Sequence, residues 1–175
     1  MLSYKILYQE DHHKNFSPYL KKEHIDYIEG KINGSFAIQY NPQKLNKLLN
    51  QKDFFDKWVE YGIKQAIVTD QKFAFLILNQ DKLGISFSEC ETNDGDNREA
   101  ICDENDEVSE ELLLNLVNDE YQSILSATFF SRRHNNIIRL TQNGILYFVK
   151  NTEKIKTLID IVNVGNEALN NEKGI

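Results

Sequence analysis

The chain is poor in the residues that define specialised scaffolds. Two Cys in 175 residues exclude a disulfide-built secreted fold. Two Pro and eight Gly exclude collagen-like, elastic or Pro-rich linker character. Arginine is scarce, at four against sixteen lysines, and the formal net charge is −7. Such a surface lacks the dense positive charge that general nucleic-acid binding needs. The longest apolar run is Phe73–Leu78, far short of the roughly 18 residues of a membrane span. The opening MLSYKILYQEDHH has neither the basic start nor the apolar stretch of a secretory signal. Cytosolic residence is therefore expected, with Cys90 and Cys102 reduced.

With 41% apolar and 27% charged residues, the composition is that of one globular domain able to bury a core. Tyr4, Ile6 and Tyr8 alternate as in a half-buried strand, and Ile25, Tyr27 and Ile28 suggest a second. Asn33-Gly34 marks a turn into a return strand, SFAIQY. Asn41-Pro42 opens a helix carrying Leu45, Leu48 and Leu49. Asp53 is expected to cap another, with Phe54, Phe55, Trp58 and Val59 as core anchors and Gly62 as its stop.

A β-meander is then predicted from QAIVTD, KFAFLILN and KLGISFSE. Ser109 should cap a helix burying Leu113, Leu116, Val117, Tyr121 and Ile124. A second meander follows in SATFFS, NNIIRLT and GILYFVK, turning at Thr141–Gly144, and Thr152 caps a last helix with Ile155, Leu158, Ile159 and Val162 inward. The expected fold class is α+β: a single domain, 1–175, with a predominantly antiparallel sheet, two meanders and three to four helices. Residues 166–175 read as a frayed tail.

Charge is concentrated in one segment. Residues 89–111 hold eleven acids and one base, Arg98, for a net −10; the other 152 residues hold sixteen acids and nineteen bases, for +3. The plain reading is a solvated loop that maintains solubility. The sharper one is an anionic docking surface built by Glu89, Glu91, Asp94, Asp96, Glu99, Asp103, Glu104, Asp106 and Glu107, which would steer a basic partner toward it. Asp94 and Asp96 begin like a calcium loop, but Arg98 and Asn105 occupy positions where an EF-hand needs ligands. Cys90 and Cys102 bracket the segment without metal or redox spacing.

Enzyme motifs are absent: HExxH, GxSxG and the Gly-rich phosphate loops do not occur. His12-His13, His24 and His134 have no ligating pattern. Asp11 with Glu29-Gly-Lys31, or Asp70-Gln-Lys72, imitates a nuclease motif, yet composition alone predicts about 2.5 such acid-x-Lys triplets. Arg132-Arg133-His134 reads as a basic turn. A carboxylate-dependent metal hydrolase or nuclease would have to gather Asp70, Asp81 and Glu89 through the fold. A phage-type DNA mimic would need acids along an elongated face. No cofactor is indicated.

Over residues 34–90, the SFAIQY strand, the helix carrying DFFDKW, AIVTD, the aromatic-rich stretch with Phe73 and Phe75, and a further hairpin strand follow an order similar to that of bacterial immunity proteins. In particular it resembles those of contact-dependent growth inhibition systems. The resemblance implies a small cytosolic protein that neutralises a cognate toxin domain by binding it. It offers no catalytic residues to carry over; the expectation of no nucleic-acid and no membrane partner rests on the charge and the short apolar runs, and no cofactor is expected. Combined with the charge pattern, it makes the expected partner a basic, nuclease-like toxin domain.

Overall fold

The computed structural model describes residues 1–11, 14–96 and 101–165. The contacts divide the chain into two compact units, one built from Leu2–Ala66 with the segment from Thr152, the other from Ile67–Asn151.

In the first unit, β1 (Leu2–Gln9) pairs antiparallel with β3 (Ser35–Gln39), and β3 with β2 (Tyr27–Glu29); β4 (Ile63–Gln65) pairs with the end of β1. The register sets Leu7 opposite Phe36 and Ile6 opposite Ala37, so alternation sends these pairs to opposite faces. Leu7, Phe36 and Ile38 pack with Phe16 and Leu20 from around α1 (Ser17–Lys22), Leu45 and Leu48 of α2 (Pro42–Leu49), and Phe54 and Trp58 of α3 (Lys52–Glu60). Phe16 is the hub of this layer, with the rings of Tyr19, Phe54, Trp58 and Tyr61 centred 5.5 to 6.1 Å away. Helix α7 (Glu153–Val164) packs against β3 and β1.

Local signals explain several of these elements. Asn41 caps α2 by accepting from the Lys44 amide, with Pro42 at the helix start. At α3 the N-cap is Gln51, and Asp53 stands in the first turn instead of at the cap. Phe55 and Val59 are exposed, so only two of the four expected anchors, Phe54 and Trp58, enter the core. Thr152 occupies the N-cap of α7 without a side-chain cap bond. Helix α1 was not expected. Its six residues are held by the burial of Phe16 and Leu20 at its inner side, because a helix this short has no stability of its own.

In the second unit, strands run in the order β9 (Ile145–Phe148), β8 (Asn136–Thr141), β7 (Ile124–Ser131), β5 (Ser86–Thr92), β6 (Gly95–Asp96), all antiparallel. The predicted β7–β8–β9 meander is present, with the Arg132–His134 turn joining its first two strands. The first meander is not. KFAFLIL lies in helix α4 (Asp70–Leu78), followed by α5 (Gln80–Leu83), and of QAIVTD only Gln65 belongs to a strand, as the last residue of β4. The cause is a cap: the Thr69 hydroxyl accepts from the Lys72 amide and Asp70 sits in the first turn. Phe73, Ala74, Leu76 and Ile77 are all buried, and a short run that is apolar on every side carries no helical stripe to read.

Ser109 caps α6 (Glu110–Asn118) as expected, burying Leu113 and Leu116. Tyr121, expected in its buried face, lies past the helix and is 85% exposed, while Ile124 belongs to β7. Seven α-helices among the described residues replace the three or four expected. The fold class, α+β with antiparallel pairing, is as expected.

Candidate functional site

The candidate surface is the outer face of the β5–β7–β8 sheet. The inner face is continuous core: Phe87 opposes Phe129, Phe129 opposes Ile138, and Ile138 opposes Phe148, all buried. On the other face Glu89 opposes Thr128, Thr128 opposes Arg139, and Arg139 opposes Tyr147. Simple alternation would put Phe87 and Glu89 on the same side. The register shifts between them, with a β-bulge at Ser88, so Glu89 and Glu91 turn outward while Phe87, Cys90 and Thr92 turn in. The bulge allows this strand to carry charge without burying a carboxylate.

Glu91 does not stand alone. Its Oε2 accepts from Arg139 Nη2 at 2.6 Å and from the Ser126 hydroxyl at 3.2 Å, and Arg139 Nε also donates to Ser126 at 3.2 Å. With Glu89, Cys90, Gly95 and Thr128 these groups line a shallow depression of about 320 Å³. Glu91 and Arg139 are each about half exposed, so the pair orients side chains more than it stabilises the fold. Glu89, beside them, has no ion-pair partner among the described residues.

The β5–β6 turn carries Asp94, exposed at its tip. Asn93 pins this turn: its side chain donates to the Tyr121 carbonyl at 2.7 Å and accepts from the Ser123 amide at 2.9 Å. Asp96 ends β6 opposite Glu91. Glu99 lies outside the described residues. Asp103, Glu104, Asp106 and Glu107 form the exposed tip of a separate small hairpin, closed by the Cys102–Val108 bridge and a Ser109 amide bond to the Ile101 carbonyl. Within it Asp103 Oδ1 accepts from the amides of Glu107 at 3.0 Å and Asn105 at 2.9 Å. Those bonds, the Glu107 one foremost, hold the carboxyl below the ordinary Asp range.

The acidic segment is thus a hairpin-tipped strand and a second ordered turn in its described parts. Glu89, Glu91 and Asp94 share the β5–β6 hairpin; the Asp103–Glu107 acids occupy the other turn. Arg139, Ser126 and Thr128 belong to the same outer face and were missed as site residues. Arg139 between the buried Ile138 and Leu140 in NIIRLT was the available signal, since alternation alone sends it outward.

The remaining candidates are structural. Asp70 Oδ1 accepts from the Ile124 amide at 2.8 Å, tying the start of α4 to β7. Asp81 is an exposed first-turn residue of α5. Among the described residues no three His, Cys, Asp or Glu side chains are gathered as a metal site, so Asp70, Asp81 and Glu89 do not form one. Asp94 and Asp96 sit in a strand hairpin, not in a loop between helices. Cys90 and Cys102 are buried and form no disulfide. No helix of the described residues is long and apolar enough to cross a membrane. Compared with protein-family models, curated proteins and solved structures, the chain matches none.

Proposed function

We propose that this protein is a toxin-neutralising inhibitor of the immunity type, binding a basic, nuclease-like toxin domain through the carboxylates of residues 89–107. The observation that carries the reading is the segregation of charge. A net −10 lies between Glu89 and Glu111 while the rest of the chain is +3; Glu89 and Glu91 lie on an outward strand face, and Asp94, Asp103, Glu104, Asp106 and Glu107 on exposed, hydrogen-bonded turns. Acids held on ordered backbone lose little freedom on docking, and their field raises the association rate of a positively charged partner. A nuclease domain needs a basic surface to hold its substrate, and an anionic partner occludes that surface. The proposal places the protein in the cytosol, without a cofactor and without catalytic groups of its own.

The test pairs the protein with the domain encoded immediately upstream of its gene. Cells producing that domain alone should stop growing, and cells producing both should grow. Replacing Asp94, Asp96, Asp103, Asp106 and Glu107 by Asn or Gln should weaken the complex by roughly tenfold or more and flatten its salt dependence. A harmless neighbour, or a complex with unchanged affinity and salt slope, overturns the reading.

A further inference from the structure

A second site lies in the first unit, remote in sequence from the acidic segment. A cleft of about 300 Å³ opens between the end of β1, the residues leading into α1, and the β2–β3 turn. That volume is at the small end of ligand pockets. Its floor includes Phe16, Leu20 and Phe36, all buried core residues.

The polar groups of the wall fall into two sets. One is committed to the protein. Gln9 Nε2 donates to the carbonyls of Asp11 and Lys14 at 2.6 and 2.7 Å; Asn15 accepts from the Ser17 amide at 2.8 Å; Ser35 Oγ accepts from Asn163 at 2.8 Å. Lys14, the one cation among the described lining residues, faces Asp11 and Glu60 carboxylates at 3.6 and 3.5 Å and sits 5.5 Å above the Tyr61 ring. The other set is the Glu29 carboxylate, the Tyr27 phenol, the Asn33 amide and the Ser17 hydroxyl. No protein group among the described residues bonds to any of these four side chains.

All four uncommitted groups can accept a hydrogen bond, and one is negatively charged. Tyr27 and Glu29 are two apart on β2 and therefore share a face. The wall that carries Asn33 is fixed: the turn amides of Lys31 and Ile32 donate to Asp160, and Asn163 holds both Ser35 and the Leu7 carbonyl. A set of uncommitted acceptors around one carboxylate, over an aromatic and aliphatic floor, suits a donor-rich cation with an apolar stem. It disfavours anions, which Glu29 repels. It also disfavours a metal ion, for which a single carboxylate is too few ligands. From this geometry we infer that the cleft is a binding site for a primary alkylammonium group, with Glu29 as counter-ion. The three ammonium donors meet the carboxylate, the phenol and an amide or hydroxyl oxygen, and the alkyl stem lies against the half-buried Ile32 of the lining.

The probe is n-butylammonium chloride, titrated at constant ionic strength and followed by backbone amide chemical shifts. Saturable shifts should appear at Tyr27–Ser35, with a dissociation constant on the order of millimolar. Butanol lacks the charge and tetramethylammonium lacks the donors; neither should saturate. Glu29→Gln, at an exposed position that leaves the fold intact, should weaken binding roughly tenfold, and Tyr27→Phe by about threefold. Glu89→Gln with Glu91→Gln should leave the affinity unchanged. The inference fails if butanol saturates as well, if Glu29→Gln binds as tightly as the parent, if the shifts centre on residues 89–107, or if nothing saturates below about 50 mM.

Discussion

Asp103 in the second unit and Asp160 in the first perform the same task with opposite electrostatic consequences. Each carboxylate accepts two backbone amides: Asp103 from Asn105 and Glu107, two and four residues on; Asp160 from Lys31 at 2.8 Å and Ile32 at 3.3 Å, 129 and 128 residues back. Asp103 sits on an exposed turn, where the donors dominate and the carboxyl is held below its ordinary range. Asp160 is 2% exposed. There burial outweighs the amides of Lys31 and Ile32, the Ser35 hydroxyl and the nearby Lys31 charge, and the carboxyl is pushed up. Desolvation, more than the number of hydrogen bonds, decides the sign. The comparison also separates a local turn device from a tertiary latch.

The latch leaves no spare volume. A Cβ built on Gly30 would lie 2.1 Å from Asp160 Oδ1 and 3.0 Å from the Ser35 carbonyl oxygen. Gly30 has an ordinary negative-side backbone, so Ala there is barred by space alone. Gly30→Ala should both overpack the turn and displace the carboxylate, costing about 3 kcal/mol. Asp160→Ala, which strips the turn amides of their acceptor but relieves the burial of a charge, should cost somewhat less, about 2 kcal/mol. The two are in contact, so the costs should not add. In an Asp160→Ala background, Gly30→Ala should lose most of its effect, as read from denaturant midpoints at unchanged slope. Simple additivity would show that the latch is not the reason Gly30 must be glycine.

The same contrast explains what could be read in advance. Devices confined to a few neighbouring residues were legible: the Asn41-Pro42 helix start, the Ser109 cap, the Thr141–Gly144 turn and the β7–β9 meander. Helix α4 differs from the expected strand because Thr69 and Asp70, read as the end of the QAIVTD strand, are instead a cap on a run with no polar face. Asp160 was invisible. It lies beside the apolar stripe of α7, and its reason for burial stands 129 residues away. At the candidate surface, the charge was legible but its presentation was not. Outward placement of Glu89 depends on the Ser88 bulge, and Glu91 is oriented by an arginine 48 residues further along.

The sharpest discrimination between the two carboxylates is in pH. For Asp160 the folded-state pKa lies above the unfolded one, so the native state binds the extra proton between them. Stability linked to this group is therefore complete at low pH, falls as the pH rises from the ordinary Asp range through the raised value, and is level above it. For Asp103 the folded-state pKa lies below the unfolded one, so its contribution is present above the ordinary Asp range and lost as the pH falls through the depressed value. The two windows adjoin on opposite sides of the unfolded Asp pKa. Asp160→Asn should abolish the decline on the upper side while leaving the acid side unchanged. Asp103→Asn should do the reverse and give the smaller change, since its carboxyl is fully solvated and its bonds compete with water. Unfolding free energies from pH 2 to 7 for the parent and both variants give the two slopes directly. Slopes that vanish on the same side in both variants would mean that burial does not set the sign, and that the amide donors govern both sites.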